Sequence, residues 1–261
     1  HSNPENYIHS KYFDKSSDYY ETNLTDTERR IAYNYEMQMC RIGKINGVNY
    51  QDSLFRGIEV DGNSVDTDKI QFERSLVNAQ ISNIIKQAGV DESAITQDCT
   101  FTVDPYSYEI TVECVDEETK MRMQNALNVG DNGKNLYKHI YYCSTQDGCE
   151  STQITKESKM KYEAYHQVYS YTGYELDKLE EKNGTYYTES GADILDLVNH
   201  AVEDTGKVPK EYKQQMKNWI HDLVSTMSVK GWNNVSDMTL SILYGKSGLK
   251  DMNQLITYQY E

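Results

Sequence analysis

Basic side chains are in short supply: 26 Lys and Arg stand against 41 Asp and Glu, a formal net charge of -15. Binding to a phosphate backbone releases counterions through clustered Lys and Arg, so nucleic acid is excluded as a partner. The same charge balance argues against an anionic membrane surface. Long apolar runs are also missing. No stretch approaches the length of a membrane-spanning helix, so no membrane insertion is expected. Hydrophobic residues make up 38% of the chain and the mean hydropathy is -0.78, low values for a folded protein. Yet the apolar positions are periodic and aromatic content is 11%, which argues for a folded chain. Nothing repeats at a period typical of solenoids, and no segment is low enough in complexity to serve as a linker. The first residue is His1 rather than methionine, which reads as a trimmed or mature chain, from which any signal peptide would have been lost with the missing part.

Catalytic and metal motifs are equally scarce. Neither H-E-x-x-H nor a serine elbow occurs, and no cysteine spacing matches a zinc ribbon, a C-x-x-C redox pair or a haem attachment site. No catalytic residue, no metal and no cofactor are therefore assigned.

What the chain does have is a hairpin testable by arithmetic. In C-T-F-T-V-D-P-Y-S-Y-E-I-T-V-E-C, opposing Asp104 to Glu109 around Pro105–Tyr108 sets Val103 against Ile110, Phe101 against Val112 and Cys99 against Cys114. All three pairs fall on one face. The other face carries Thr102 against Thr111 and Thr100 against Glu113, the alternation of a half-buried antiparallel ribbon. Pro105 suits the first central position of a type I turn. Downstream, Asp116 can cap a helix bearing Met123, Ala126 and Leu127, and Gly130–Gly133 breaks it. A shorter helical run over Asn135–Tyr142 then places Leu136, Tyr137 and Ile140 on one side.

These two segments, F-T-V-D-P-Y-S-Y-E-I-T-V and A-L-N-V-G-D-N-G-K-N-L-Y-K-H-I, resemble a stretch found in bacterial families of unknown function. The resemblance implies a bacterial source and a recurring structural module. It carries over no catalytic residue. Cys114 departs from the pattern, which leads one to expect a small residue such as glycine there.

Five cysteines bear on the compartment. Cys99 and Cys114 come out opposite on the buried face at a separation a disulfide accepts, and Cys143 with Cys149 can close the short loop C-S-T-Q-D-G-C. Cys40 is left alone on a helix. The alternative is five reduced cysteines in a cytosolic protein. Tyrosine dominates the aromatics, 23 against 4 Phe and 2 Trp, and supplies apolar area together with a polar hydroxyl, which suits an amphipathic rim around the core and, as the competing reading, extracellular contact surfaces.

Residues 1–23 show no period and read as a flexible N-terminal arm. Thr25–Glu28 is a capping box opening a helix to about Arg41, with Ile31, Tyr35 and Met39 as its apolar side. Residues 44–65 read as a long glycine-bearing loop. A second helix follows from Asp66 or Thr67, with Ile70, Val77, Ile81 and Ile84 in register and Gly89 as its stop. Beyond Cys149, a helix over 152–171 carries the stripe Tyr162, Tyr165, Val168 and Tyr169, read as core packing. Residues 174–191 are charged and turn-rich. Ile194, Leu197, Val198 and Ala201 mark another helix; Pro209 opens the next, where Tyr212, Met216, Trp219, Ile220, Leu223 and Met227 form one apolar stripe. The tail is expected to hold short helices around 238–244 and 251–258.

The expected fold is α+β, mostly helical, with a central antiparallel hairpin and a helical C-terminal half. Residues 24–150 are assigned to the hairpin unit and 151–261 to a bundle-like region.

Other chemistry reads weakly. Asp61, Asn63, Asp66 and Asp68 offer oxygen ligands but do not fit a calcium loop. Gly130–Asn135 lacks the full phosphate-loop spacing. His139 is expected to be a satisfied, hydrogen-bonded histidine, and His200 and His221 to lie at the surface. The expected function is a non-enzymatic extracytoplasmic interaction module with a protein or glycan partner. A cytoplasmic helical adaptor or secretion accessory is the competing reading, followed by a carboxylate-dependent glycan hydrolase.

Overall fold

In the structure, a computed structural model describing residues 4–17, 20–22, 24–41, 67–145, 149–252 and 254–256, the hairpin forms one end of a larger sheet. The helices are α1 (Pro4–Phe13), α2 (Asp26–Arg41), α3 (Thr67–Gln87), α4 (Glu117–Leu127), α5 (Asn132–Ser144), α6 (Lys156–Thr172), α7 (Ile194–Asp204) and α8 (Lys213–Lys230). The strands are β1 (Cys99–Val103), β2 (Ile110–Glu113), β3 (Cys149–Ser151), β4 (Glu180–Lys182), β5 (Thr185–Tyr187), β6 (Leu240–Gly245), β7 (Gly248–Asp251) and β8 (Gln254–Ile256). The fold is α+β, and the chain divides into two units. Unit 1 comprises 1–104, 108–151 and 240–261; unit 2 comprises 105–107 and 152–239.

Unit 1 is built on an antiparallel sheet of order β2-β1-β6-β7. Its β1–β2 register pairs Val103 with Ile110, Phe101 with Val112, Thr102 with Thr111 and Thr100 with Glu113, as the alternation requires. The tail departs from the helix anticipated around 238–244: Leu240–Gly245 is a strand whose Leu240, Ile242 and Tyr244 pair with Val103, Phe101 and Cys99. The tail's alternation L-S-I-L-Y-G places Leu240, Ile242 and Tyr244 on the buried face with the hairpin's own apolar set, so period two wins over helix propensity. Helices α3, α4 and α5 pack on the sheet's elements, giving a two-layer arrangement. Phe101, Val103, Ile110, Val112, Met123, Leu127, Leu136 and Ile242 are all fully buried there.

Strand β2 lies at the sheet's edge, and its backbone is satisfied by side chains. Gln124 Oε1 accepts from the Val112 N–H at 3.0 Å, while Asn128 accepts from the Ile110 N–H at 2.7 Å and donates to the Ile110 carbonyl at 2.8 Å. Such side-chain cover blunts an edge that would otherwise template pairing. Asp116 caps α4 by accepting from the Thr119 N–H at 2.7 Å, as its position predicted. Gly133 lets α5 approach the hairpin loop, because a Cβ there would sit 1.8 Å from the Tyr108 carbonyl oxygen.

The N-terminal segment differs from an arm. Pro4–Phe13 is helical and buries Tyr7, Ile8, Lys11 and Tyr12. Its partner α2 turns Ala32, Glu36 and Met37 inward and leaves Ile31 46% exposed, so the apolar side anticipated from Ile31 is not the packed one. A charged pair explains the shift. Lys11 Nζ and Tyr12 Oη both donate to Glu36 Oε2, at 2.8 and 2.7 Å, and Arg29 donates to the carbonyls of Tyr12 and Glu21. Burial pulls the Lys11 pKa down, with Glu36 opposing.

Unit 2 packs α6, α7 and α8 together with the β4–β5 ribbon. Helix α6 opens on a capping box, Thr155 with Ser158, and stops at Gly173, where φ is +74°. Its core gathers Ala164, Tyr165, Val168, Leu176, Ile194, Val198, Ile220, Val224 and Met227. The loop 44–65 anticipated from sequence lies outside the described residues.

Candidate functional site

Two groupings of polar and aromatic side chains merit chemical tests, one in each unit. In unit 1, Arg74 of α3, His139 and Cys143 of α5 and Asp251 of β7 converge. Arg74 Nε donates to His139 Nε2 at 2.8 Å and Nη2 donates to Asp251 Oδ1 at 2.6 Å. Burial and then the Arg74 charge hold the His139 pKa well below its ordinary 6.5. Burial would lower the Arg74 pKa, yet Cys143 and Asp251 outweigh it and raise it. Cys143 Sγ lies 3.7 Å from His139 Nε2.

A thiol beside an imidazole invites a nucleophilic reading, and the geometry answers it. The lone pair that His139 would use as a base already accepts the Arg74 proton, and both Cys143 and His139 are buried. A base must reach the proton it abstracts. The grouping therefore acts as a clamp joining α3, α5 and β7, and His139 is the hydrogen-bonded histidine expected of it.

The unit 2 grouping is aromatic. Tyr106, Tyr165 and Trp232 form a triangle with ring centroids 4.5, 5.8 and 6.3 Å apart. Lys161, with its side chain 4% exposed, stands 4.6 Å from the Trp232 centroid and donates to the Val235 carbonyl at 2.7 Å. It also pairs with Asp237 Oδ1 at 2.8 Å, which accepts from Tyr106 Oη at 2.6 Å. Burial works to raise the Asp237 pKa, but the hydrogen bonds from Lys161 and Tyr106 prevail and lower it. These rings brace α6 against the segment after α8. Close by, Thr155, Glu157, Lys230, Asn234, Val235 and Ser236 line a shallow open recess.

Around this braced interior, large aromatics reach solvent. Tyr169 is 50% exposed, Tyr174 42%, Tyr212 55% and Trp219 37%. The stripe read on α6 is thus core only at Tyr165 and Val168, and the stripe read on α8 leaves the core before Trp219. Tyr169 stacks parallel to Tyr165 at 6.2 Å. Tyr165 Oη donates to Glu175 Oε1 at 3.4 Å, and Glu175 pairs with Lys178.

Comparison with known proteins places the chain among relatives. The model of a domain of unknown function, DUF4885, matches residues 1–260. The chain belongs to this family. A family relative, described as the uncharacterized protein YbdO of Bacillus subtilis (strain 168), is 30% identical over 258 residues, which is 98% of this chain and 64% of that protein. The chain thus spans less than two thirds of the relative's length. No solved structure matches. The resemblance read on Phe101–Ile140 agrees with membership of a bacterial family whose function is unassigned.

Within this DUF4885 chain, the residues singled out from sequence are distributed as follows. Cys99 and Cys114 are joined by a disulfide with Cα atoms 4.6 Å apart. Cys143 is buried in the Arg74 clamp, and the side chains of its proposed partner Cys149 and of Cys40 lie outside the described residues. So does the Asp61–Asp68 grouping considered for calcium. Among the described residues, no three His, Cys, Asp or Glu side chains gather as metal ligands. His200 is exposed, whereas His221 is half-buried beside Asn199, 3.0 Å away.

Arg74, Asp251, Lys161 and Trp232 were not legible as partners. Each pairing spans from 71 to 177 positions along the chain, and no local period encodes it. A lysine on the apolar side of α6, immediately before Tyr162 and sharing a face with Ala164, Tyr165 and Val168 in the helical register, was the one available signal.

Proposed function

We propose that this chain is a non-enzymatic binding module that works outside the cytoplasm and holds its ligand on the aromatic surface of unit 2. The observation that carries the reading is the exposure of Tyr169, Tyr174, Tyr212 and Trp219 on a unit whose interior is already braced by other rings. Tyr and Trp are the side chains that supply most contact energy for the least conformational entropy. Placing such rings in water costs apolar hydration, which a ligand would recover.

The disulfide between Cys99 and Cys114 supports the compartment, since such bonds persist in oxidising surroundings. The absence of a membrane-spanning helix among the described residues agrees with a module that meets its ligand from the aqueous side.

Two measurements test this reading. Alkylation and intact mass of the native protein, prepared without reductant, should count fewer reactive thiols before reduction than the five cysteines found after it. Co-sedimentation with isolated bacterial envelope should then retain the chain and fail when Tyr169, Tyr174, Tyr212 and Trp219 are replaced together by serine. Five reactive thiols in the native protein, with no retention on envelope, would instead favour the cytoplasmic adaptor.

A further inference from the structure

Three Asn-Gly pairs occur in the chain: Asn46-Gly47, Asn132-Gly133 and Asn183-Gly184. The first lies outside the described residues, and the other two sit in opposite surroundings. Asn183 and Gly184 form the two-residue turn between β4 and β5, closed by the pairing of Lys182 with Thr185. Both adopt the left-handed region, with φ of +53° and +81°, as a type I′ hairpin turn demands. Both are exposed. The Asn183 amide has no hydrogen-bond partner among the described residues, and a Cβ built on Gly184 would meet nothing within 4 Å. Asn132, by contrast, is 2% exposed and opens α5. Gly133 behind it is pressed so closely on the hairpin loop that a Cβ would lie 1.8 Å from the Tyr108 carbonyl oxygen.

Asparagine followed by glycine carries a latent reaction. The glycine backbone nitrogen, with no Cβ to hinder its approach, attacks the asparagine Cγ. A C–N bond forms, the bond from Cγ to the amide nitrogen breaks, and ammonia leaves with the proton given up by the backbone nitrogen. Water then opens the cyclic imide at one of its two carbonyls, leaving aspartate or isoaspartate. One water is consumed, one ammonia is released, and no oxidant or reductant takes part. A closed turn holds the backbone still, so the attack proceeds when the ribbon opens. Opening is cheap at this ribbon: all three residues of β4 are exposed and β5 is its only strand partner in a two-stranded sheet, an arrangement of marginal stability by itself. Freeing Gly133 requires α5 to unpack from the hairpin.

We infer that Asn183-Gly184 is a site of spontaneous deamidation in the folded chain and that Asn132-Gly133 is not. Isoaspartate routes the main chain through Cβ and lengthens the turn by one atom. The change falls next to Thr185, whose hydroxyl donates to Asp193 Oδ1 at 2.9 Å. That same oxygen caps α7 by accepting from the Leu195 N–H at 2.8 Å. Modification therefore loosens the α7 cap and adds a carboxylate to a ribbon that already bears Glu180 and Glu181.

The test is incubation of the intact chain at mildly alkaline pH, with and without urea, followed by proteolysis in acid. Mass spectrometry with electron-based fragmentation then separates isoaspartate from aspartate. In the folded chain Asn183 should convert at least roughly tenfold faster than Asn132, with isoaspartate among its products. In urea the two should convert at comparable rates. Equal rates in the folded chain would overturn the packing argument. Conversion of Asn183 only in urea, or not at all, would overturn the site, since the closed turn would then be protecting its amide. The native chain after incubation should melt at a lower temperature than Asn183→Gln treated in the same way, and coincident melts would overturn the link to the α7 cap.

Discussion

Removing the ammonium of Lys11 should cost more stability than removing the whole polar group around it. Lys11 and Glu36 are buried, their side chains 2% and 0% exposed, and Glu36 Oε2 takes hydrogen bonds from Lys11 Nζ and Tyr12 Oη. Glu36 Oε1 has no hydrogen-bond partner among the described residues. The carboxylate thus depends on the ammonium for most of its compensation. Replacing one partner of a buried pair typically costs about 3–5 kcal/mol, because the survivor stays buried and uncompensated. Lys11→Met should fall near the lower end, about 3 kcal/mol, since the Tyr12 hydroxyl remains. Converting the pair to packed apolar groups is frequently neutral or stabilising, but Glu36→Leu also orphans Tyr12 Oη at about 1–3 kcal/mol. The triple variant Lys11→Met, Glu36→Leu, Tyr12→Phe removes the ammonium, the carboxylate and the hydroxyl together and should return to within about 1 kcal/mol of the native chain. Urea unfolding followed by circular dichroism reads this directly, with a slope of about 1–3 kcal/mol per molar making the single-variant shift on the order of 1–3 M. A Lys11→Met variant within about 0.5 kcal/mol of native, the range of ordinary surface changes, would refute the buried pair. A triple variant no better than the single one would refute the explanation of its cost.

Three further outcomes follow from particular contacts. His139 has its pKa held well below 6.5 by burial and by Arg74, so the unfolded chain takes up this proton first. Stability should then fall as pH drops below 6.5, by at most about 1.4 kcal/mol per pH unit from this group. His139→Gln should flatten that part of the urea-unfolding profile, and an unchanged slope would contradict the assignment. Gly133→Ala forces a Cβ to within 1.8 Å of the Tyr108 carbonyl, and backbone displacement of this kind should cost on the order of 1–3 kcal/mol; a thermal melt equal to native would show that the close approach is not real. Cys99 and Cys114 are 15 positions apart, so reducing their bond should cost at most about 3 kcal/mol and less where the hairpin already holds its ends. Melts with and without reductant, repeated on Cys99→Ser with Cys114→Ser, measure this, and a loss well beyond that bound would mean another bridge is being broken.

Local order was readable wherever one face of an element is apolar and the other polar. The β1–β2 register and the Asp116 cap both rest on residues a few positions apart, and alternation or capping chemistry specifies them. Strand β6 escaped because its short run, bounded by Met238 and Gly245, has as many helix-compatible as strand-compatible spacings, and its pairing with β1 joins residues about 140 positions apart. Helix α1 escaped for a different reason. Its buried face includes Lys11, and a lysine scores as polar in any periodicity while its partner Glu36 lies 25 positions away. The same limit hid the site. Trp219 belongs to an apolar stripe in the sequence, and only the course of α8 relative to the unit 2 core reveals that the stripe's first half faces water.

The central claim is that a ligand of the bacterial envelope settles on the exposed rings Tyr169, Tyr174, Tyr212 and Trp219 of unit 2. Hydroxyl-radical footprinting of the intact chain by mass spectrometry, with and without isolated envelope, addresses it directly. The account predicts that labelling of these four rings falls on addition of envelope, while Met121 and Val229, 62% and 83% exposed, keep theirs. Protection confined to other surfaces, or an unchanged pattern on chain retained by the envelope, would contradict it.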